Sequence, residues 1–182
     1  MSQALSERIK SLPASATLAM AAKARELKNE GKDIIGLSFG EPDFNTPDFI
    51  KEAAIEAINA DYNSYTPVDG YVELKEAICE KFKRDNGLDY APNQIVVSTG
   101  AKQSIANAVQ VLINPGDDVL LVAPYWVSYS AIVILAEGNP IEIRSDIETD
   151  VKITPAQLEA AITPKTKLVM LNSPNNPTGT MS

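Results

Sequence analysis

The sequence predicts an α/β fold: a mainly parallel sheet with helices on both faces, preceded by an N-terminal arm and a helix, and incomplete as a unit. Three observations carry this. From Gln94 onward, short β-branched or apolar runs at 95–98, 119–122, 140–144 and 167–171 alternate with stretches of helical periodicity, the order of βαβ units. The three most unusual loops of this half, at Gly100, Trp126 and Asn176, each follow such a run, and in parallel sheets ligands gather at the carboxyl ends of the strands. The chain stops at Ser182, directly after a strand and its loop, where a doubly wound sheet is expected to return with another helix.

Taken in order, Met1 to Leu12 has few apolar residues and reads as an arm rather than a packed element. A helix over 17–30 follows, with Ser15 as N-cap and Gly31 as the C′ residue. Residues 33–37 read as a short strand running into the loop 38–44, where Pro42 biases Glu41 away from helix. Thr46-Pro47 supplies an N-cap and a first helical residue to a helix with the apolar stripe Ile50, Ala53, Ala54, Ala57 and Ile58. Residues 62–70 form a loop, and a helix from Val72 ends at Asn86-Gly87. Residues 114–118, NPGDD, have turn chemistry at every position. The helix after the second strand is expected to begin at Pro124-Tyr125-Trp126 and reach Ala136. The strand 140–144 is shorter and more polar, hence nearer an edge, and Thr154-Pro155 caps a short helix through Ile162.

The bulk properties exclude several functions. The composition, 45% hydrophobic and 22% charged, is that of an ordinary globular protein, and the net charge of −8 argues against nucleic acid or an anionic membrane as partner. The absence of histidine removes His-based triads and His metal ligands. The single cysteine, Cys79, rules out an intrachain disulfide or Cys-cluster zinc site, and its neighbours Leu74, Ala77, Ile78 and Phe82 make it a core thiol. No run approaches a membrane span and no signal peptide opens the chain, so the cytoplasm is expected.

The stretch 94–114 reads strand, tight turn, helix, with Ile105, Ala108, Val109, Leu112 and Ile113 at helical spacing. Such a turn leaves the first N–H groups of the helix without intrahelical partners and aims the positive end of the helix dipole at one spot. Gly100 and Ala101 carry almost no side chain, so an anion could approach the backbone. A phosphate cup and an ordinary strand-to-helix turn both fit. Trp126 serves equally as a core residue or a flat platform for an aromatic ring. Asn176 could cap a turn or offer a donor to a phenolate-like oxygen, and Lys102 is a solvated lysine or a cation beside the cup. Neither a G-x-G-x-x-G, a P-loop nor a G-x-S-x-G is present.

The combination goes further. SFGEPDF at 38–44, YTPVDG at 65–70, STGAKQ at 98–103, PYWVSY at 124–129 and SPNNPTG at 173–179 occur in this order. Together they resemble the fold-type I pyridoxal-phosphate aminotransferases, most closely the bacterial aspartate aminotransferase subgroup, over somewhat less than half of a typical member. The resemblance implies a homodimer that moves an amino group between L-aspartate and 2-oxoglutarate. Residues 1–46 would be the arm and the start of a small domain, and residues 47–182 the first half of the large cofactor-binding domain. It further implies that Gly40 contacts the substrate α-carboxylate through its backbone. Gly100 and Ala101 would give N–H groups to the cofactor phosphate, and Tyr65 would reach that phosphate from the other subunit. Trp126 would stack on the pyridine ring, Asn176 would hydrogen-bond its 3′-oxygen, and both would line the substrate site. Lys102, with Ser15 and Thr17, is associated with the distal carboxylate of an acidic substrate. Members that also accept prephenate tend to carry Lys immediately before the proline of the first helix; here Leu12 stands there.

The family also needs a Schiff-base lysine, an aspartate on the pyridine nitrogen and an arginine for the α-carboxylate, and none is found in its motif context here. The chain is therefore expected to be inactive alone, with no catalytic residue of its own. Two alternatives stand beside this: a non-catalytic module that binds a phosphorylated small molecule or a partner chain, and another fold-type I chemistry such as a lyase or decarboxylase, which Trp126 and the NNPTG run disfavour.

Overall fold

The computed structural model describes residues 4–14, 16–37, 40 and 42–181, with the side chain of Ala16 excepted. They form two compact units, Ala14–Val97 on the one hand and Ser98–Ser182 with Met1–Pro13 on the other.

In the unit 14–97, helix α2 spans Ala16–Asn29. It closes as expected at Gly31, whose φ is +80°: Gly31 N–H donates to Lys28 O and Lys32 N–H to Leu27 O, a paired closure that needs a left-handed residue. Helix α3 covers Asp48–Asn59, one residue later than expected, and Pro47 offers no side-chain cap. Of its apolar stripe only Ala57 is even half-buried. Helix α4 covers Val72–Asn86 and ends on left-handed Gly87. Its buried residue is Lys75, and Cys79, expected in a core, is half-buried.

Two expected strands of this unit are extended chain without a ladder. Residues 33–37 pair with no other strand among the described residues, and Ile35 and Leu37 are 84% and 89% exposed. Residues 95–98 likewise join no sheet; Val97 N–H donates to Asp69 O at 3.0 Å. Apolar β-branched composition favours a strand only where a neighbour supplies the ladder, and neither run has one here.

The other unit holds the sheet. Strand β1 (Asp118–Ala123) is central, flanked in parallel by β2 (Asn139–Arg144) and β3 (Thr166–Met170). As the polarity of 140–144 implied, β2 is an edge. Helix α5 (Ala101–Leu112) precedes β1, α6 (Ser128–Leu135) links β1 to β2, and α7 (Pro155–Ala161) leads to β3. Thr154 and Gln157 cap α7 reciprocally, the arrangement expected of Thr-Pro followed by Gln. Val119 and Leu121 of β1 meet Val109 and Ile113 from the α5 side and Tyr129, Ile132 and Val133 of α6. The alternate β1 residue Leu120 is fully buried on the other face, and α7 lies against β2. On α5, Ala106 rather than Ala108 turns toward this core.

Two further expectations are corrected. The arm contains one helical turn, α1 (Glu7–Lys10), capped by the Ser6 hydroxyl and set against α6. Helix α6 begins at Ser128, and residues 124–127 form a bend before it. No helix among the described residues is long and apolar enough to cross a membrane, and none of their His, Cys, Asp and Glu side chains form a metal-sized cluster.

Candidate functional site

Three loops meet beside the sheet: two follow β1 and β3, and the other opens α5 and reaches them through Lys102. The first is the turn 98–103. Gly100 is the N-cap of α5 with φ +91°, a conformation that suits glycine, and nothing lies within 4 Å of where its Cβ would be. Its N–H donates to Ser98 O at 2.8 Å. Thr99 N–H and the Thr99 hydroxyl both donate to Gln103 Oε1, each at 2.6 Å. Gln103 N–H returns to Gly100 O at 3.1 Å. The N–H groups of Ala101 and Lys102 have no acceptor among the described residues. They sit at the positive end of a 12-residue helix, where an anion is favoured.

The second loop follows β1. Trp126 is half-buried against the core and meets Tyr129 edge-on, at 5.5 Å and 89°. Lys102 Nζ stands over the Trp126 ring, 5.0 Å from its centre. Tyr125 stacks with Tyr129 at 6.3 Å and donates its hydroxyl to Glu142 Oε1 of β2 at 2.6 Å. Burial, then the Glu142 carboxylate, pushes the Tyr125 phenol above its ordinary value, and Ser130 works the other way.

The third loop, 172–180, is tied to the second by Asn175, whose Nδ2 donates to Pro124 O at 3.1 Å. Asn175 Oδ1 accepts Thr178 N–H at 3.3 Å, and its backbone pairs with Thr180 and Gly179. Asn176 N–H donates to Asn172 Oδ1 at 2.7 Å, and residue 176 is exposed.

The structure therefore places Gly100, Ala101, Lys102 and Trp126 together and docks the loop carrying Asn176 onto the segment leading to Trp126. Tyr65, Gly40 and Thr17 belong to the unit 14–97: Tyr65 and Gly40 are exposed and Thr17 is half-buried in α2. Ser15 lies outside the described residues, as do three neighbours of Gly40: Ser38, Phe39 and Glu41. Residue-by-residue reading missed Gln103, Tyr125, Glu142 and Asn175. Gln103 had a signal, since a Gln at the third helical position is half of a capping box. The Tyr125–Glu142 bond spans 17 residues and left no local trace.

Known proteins share this chain's sequence and fold. Residues 32–182 match the family model for aminotransferase class I and II. An aspartate/prephenate aminotransferase of Cereibacter sphaeroides is 55% identical over 96% of this chain and 44% of its own length. An aspartate aminotransferase of a Bacillus species is 52% identical over 98% of this chain and 46% of its own. The crystal structure of the aspartate aminotransferase from Rhizobium meliloti superposes with a TM-score of 0.91 at 48% identity, over 95% of this chain and 43% of that one. The chain thus spans less than half the length of these relatives. With its sheet, its turn at Gly100 and its match over residues 32–182 in agreement, the chain belongs to the class I and II aminotransferases.

Proposed function

We propose that these residues form the amino-terminal, cofactor-holding part of an aspartate-type aminotransferase, moving an amino group between L-aspartate and 2-oxoglutarate with pyridoxal 5′-phosphate. The observation that carries this is the convergence of the Ala101 and Lys102 N–H groups, without acceptors among the described residues, with Lys102 Nζ over the Trp126 ring. Those residues fit the cofactor. A dianionic phosphate finds backbone donors at a helix N-terminus, with open space beside Gly100. When bound, the cofactor supplies an electron sink at the substrate α-carbon.

The chain's own residues bind and orient. Ala101 and Lys102 hold the phosphate, and Gly100, whose N–H already donates to Ser98 O, gives it room. Trp126 offers its face to the ring, Asn176 a donor to the ring oxygen, and Gly40 a backbone contact to the α-carboxylate. Tyr65 reaches the phosphate of a second subunit in a homodimer. Lys102, Thr17 and Ser15 favour a distal carboxylate. Residues 1–46 are the arm and the start of the small domain and residues 47–182 the first half of the large cofactor-binding domain, and the protein works in the cytoplasm. Leu12 stands against prephenate as substrate, although at least four relatives above 50% identity are named for it. The relatives support an enzyme over a binding module. These 182 residues alone do not turn over, because none of their lysines lies in the Schiff-base motif context.

Emission of Trp126, the single tryptophan, is expected to quench on titration with pyridoxal phosphate, with inorganic phosphate competing. Aspartate–oxoglutarate exchange is expected only when a polypeptide covering the remaining length of a relative is added. Quenching indifferent to phosphate refutes the cofactor site; turnover by the chain alone refutes its inactivity.

A further inference from the structure

We propose that Gln103 is a positioning residue of this anion cup, and that its lack of charge sets the cup's preference for a doubly charged phosphate ester. The inference rests on the cofactor site proposed above.

A Gln at the third helical position ordinarily takes the N–H of the N-cap residue. Here the N-cap is Gly100, whose N–H already donates to Ser98 O. The Gln103 carboxamide instead closes one residue earlier, on Thr99, taking both its N–H and its hydroxyl at 2.6 Å. Gln103 satisfies the Thr99 donors and Ser98 O the Gly100 N–H, all within the turn. The N–H groups of Ala101 and Lys102 are left for a ligand. Gln103 so removes the Thr99 donors from those the cup offers and holds the turn beside the ones left open.

A glutamate in its place could make the same clasp. It would be at least as good a cap, since a carboxylate is the stronger acceptor and a negative charge in the first helical turn is favoured by the dipole. It would also set a negative charge beside the donors meant for a phosphate dianion and oppose it. Gln103→Glu therefore separates two roles that Gln103→Leu confounds. For a cap alone, Glu is neutral or better. For a cup, Glu keeps the turn and loses the ligand.

The test titrates the 182-residue chain and its Gln103→Glu and Gln103→Leu variants with pyridoxal 5′-phosphate and with pyridoxal, following Trp126 emission. Pyridoxal closes its 5′-hydroxyl onto its aldehyde and reacts less with amines, so the ratio of the two Kd values is compared between wild type and variants, whose surface lysines are the same. Gln103→Glu is expected to lower the preference for the phosphorylated ligand on the order of tenfold, with Tm unchanged or raised. Gln103→Leu is expected to lower both the preference and Tm. An unchanged preference in Gln103→Glu overturns the proposal, as does an equal loss of affinity for both ligands. If Gln103→Leu does not fold, Gln103→Glu decides alone. A wild-type chain that does not distinguish the two ligands overturns the cofactor site itself, and this proposal with it.

Discussion

Lys102 Nζ and the Trp126 ring lie 5.0 Å apart, a cation held over the face of the residue that the cofactor ring would meet. At an exposed site such a contact contributes about 0.5–1 kcal/mol, while Tyr129 of the buried core fixes the indole from another side. Lys102→Gln is therefore expected to cost no more than about 1 kcal/mol in denaturant melts. It is expected to weaken binding of a dicarboxylic acid more than that of alanine, read by Trp126 emission. Equal affinity for both ligands before and after substitution would remove Lys102 from the substrate side of the site.

The Tyr125–Glu142 bond links the same loop to the edge strand. The Tyr125 phenol is raised above 10.0, by burial first and the Glu142 carboxylate second, so the fold favours the protonated phenol. That contribution is complete below the ordinary tyrosine value and is lost as pH rises through the raised one. Tyr125→Phe is expected to cost about 1 kcal/mol at neutral pH and to have a flatter Tm above pH 10 than wild type. Parallel alkaline melting curves would show that the bond carries no linkage.

Asp69 and Lys75 behave in the opposite sense. Lys75 is 6% exposed on α4 and pairs with Asp69, whose backbone carbonyl also takes Val97 N–H. The hydrogen bond from the Lys75 ammonium, ahead of a bond from the Asp69 backbone, lowers the carboxyl below 3.8, and burial opposes it. A depressed value stabilises the fold above the unfolded value and ceases to do so as pH falls through the folded one. Asp69→Asn is thus expected to melt below wild type at pH 7, with the two curves converging below the usual aspartate range. A gap that stays constant into acid would mean that Asp69 acts through packing rather than charge.

Local chemistry made the second half legible. The turn at 114–118, the Thr154 cap, and the runs forming β1, β2 and β3 each contain their own cause, and the sheet assembled them in parallel as expected. Residues 33–37 and 95–98 have the composition of strands, but a ladder needs a second chain segment that composition does not reveal. The cup was visible because a Gly followed by an amphipathic helix specifies both the turn and the dipole. Its internal wiring was not. Whether Gly100 or Gln103 settles a donor depends on φ values and on which oxygen comes within 2.6 Å. Asn175 illustrates the same limit: in NNPTG either asparagine could be the anchor, and the structure ties Asn175 to Pro124 and leaves Asn176 exposed.

The unit 14–97 carries the last prediction. Phe49 and Ile58 of α3 are 70% and 73% exposed, and Ile35, Leu37, Tyr62, Tyr65 and Val68 are also open. Apolar surface on this scale is normally covered, and a homodimer in which Tyr65 completes a neighbouring site would cover part of it. The chain is expected to self-associate, with a sedimentation mass of twice the monomer that falls when Phe49 and Ile58 are both replaced by Ser. The circular dichroism spectrum should be retained, because α3 buries none of its residues and these side chains hold little of the fold. A wild-type chain that stays monomeric at high concentration and unfolds in one cooperative step would show that the exposed face needs no second copy.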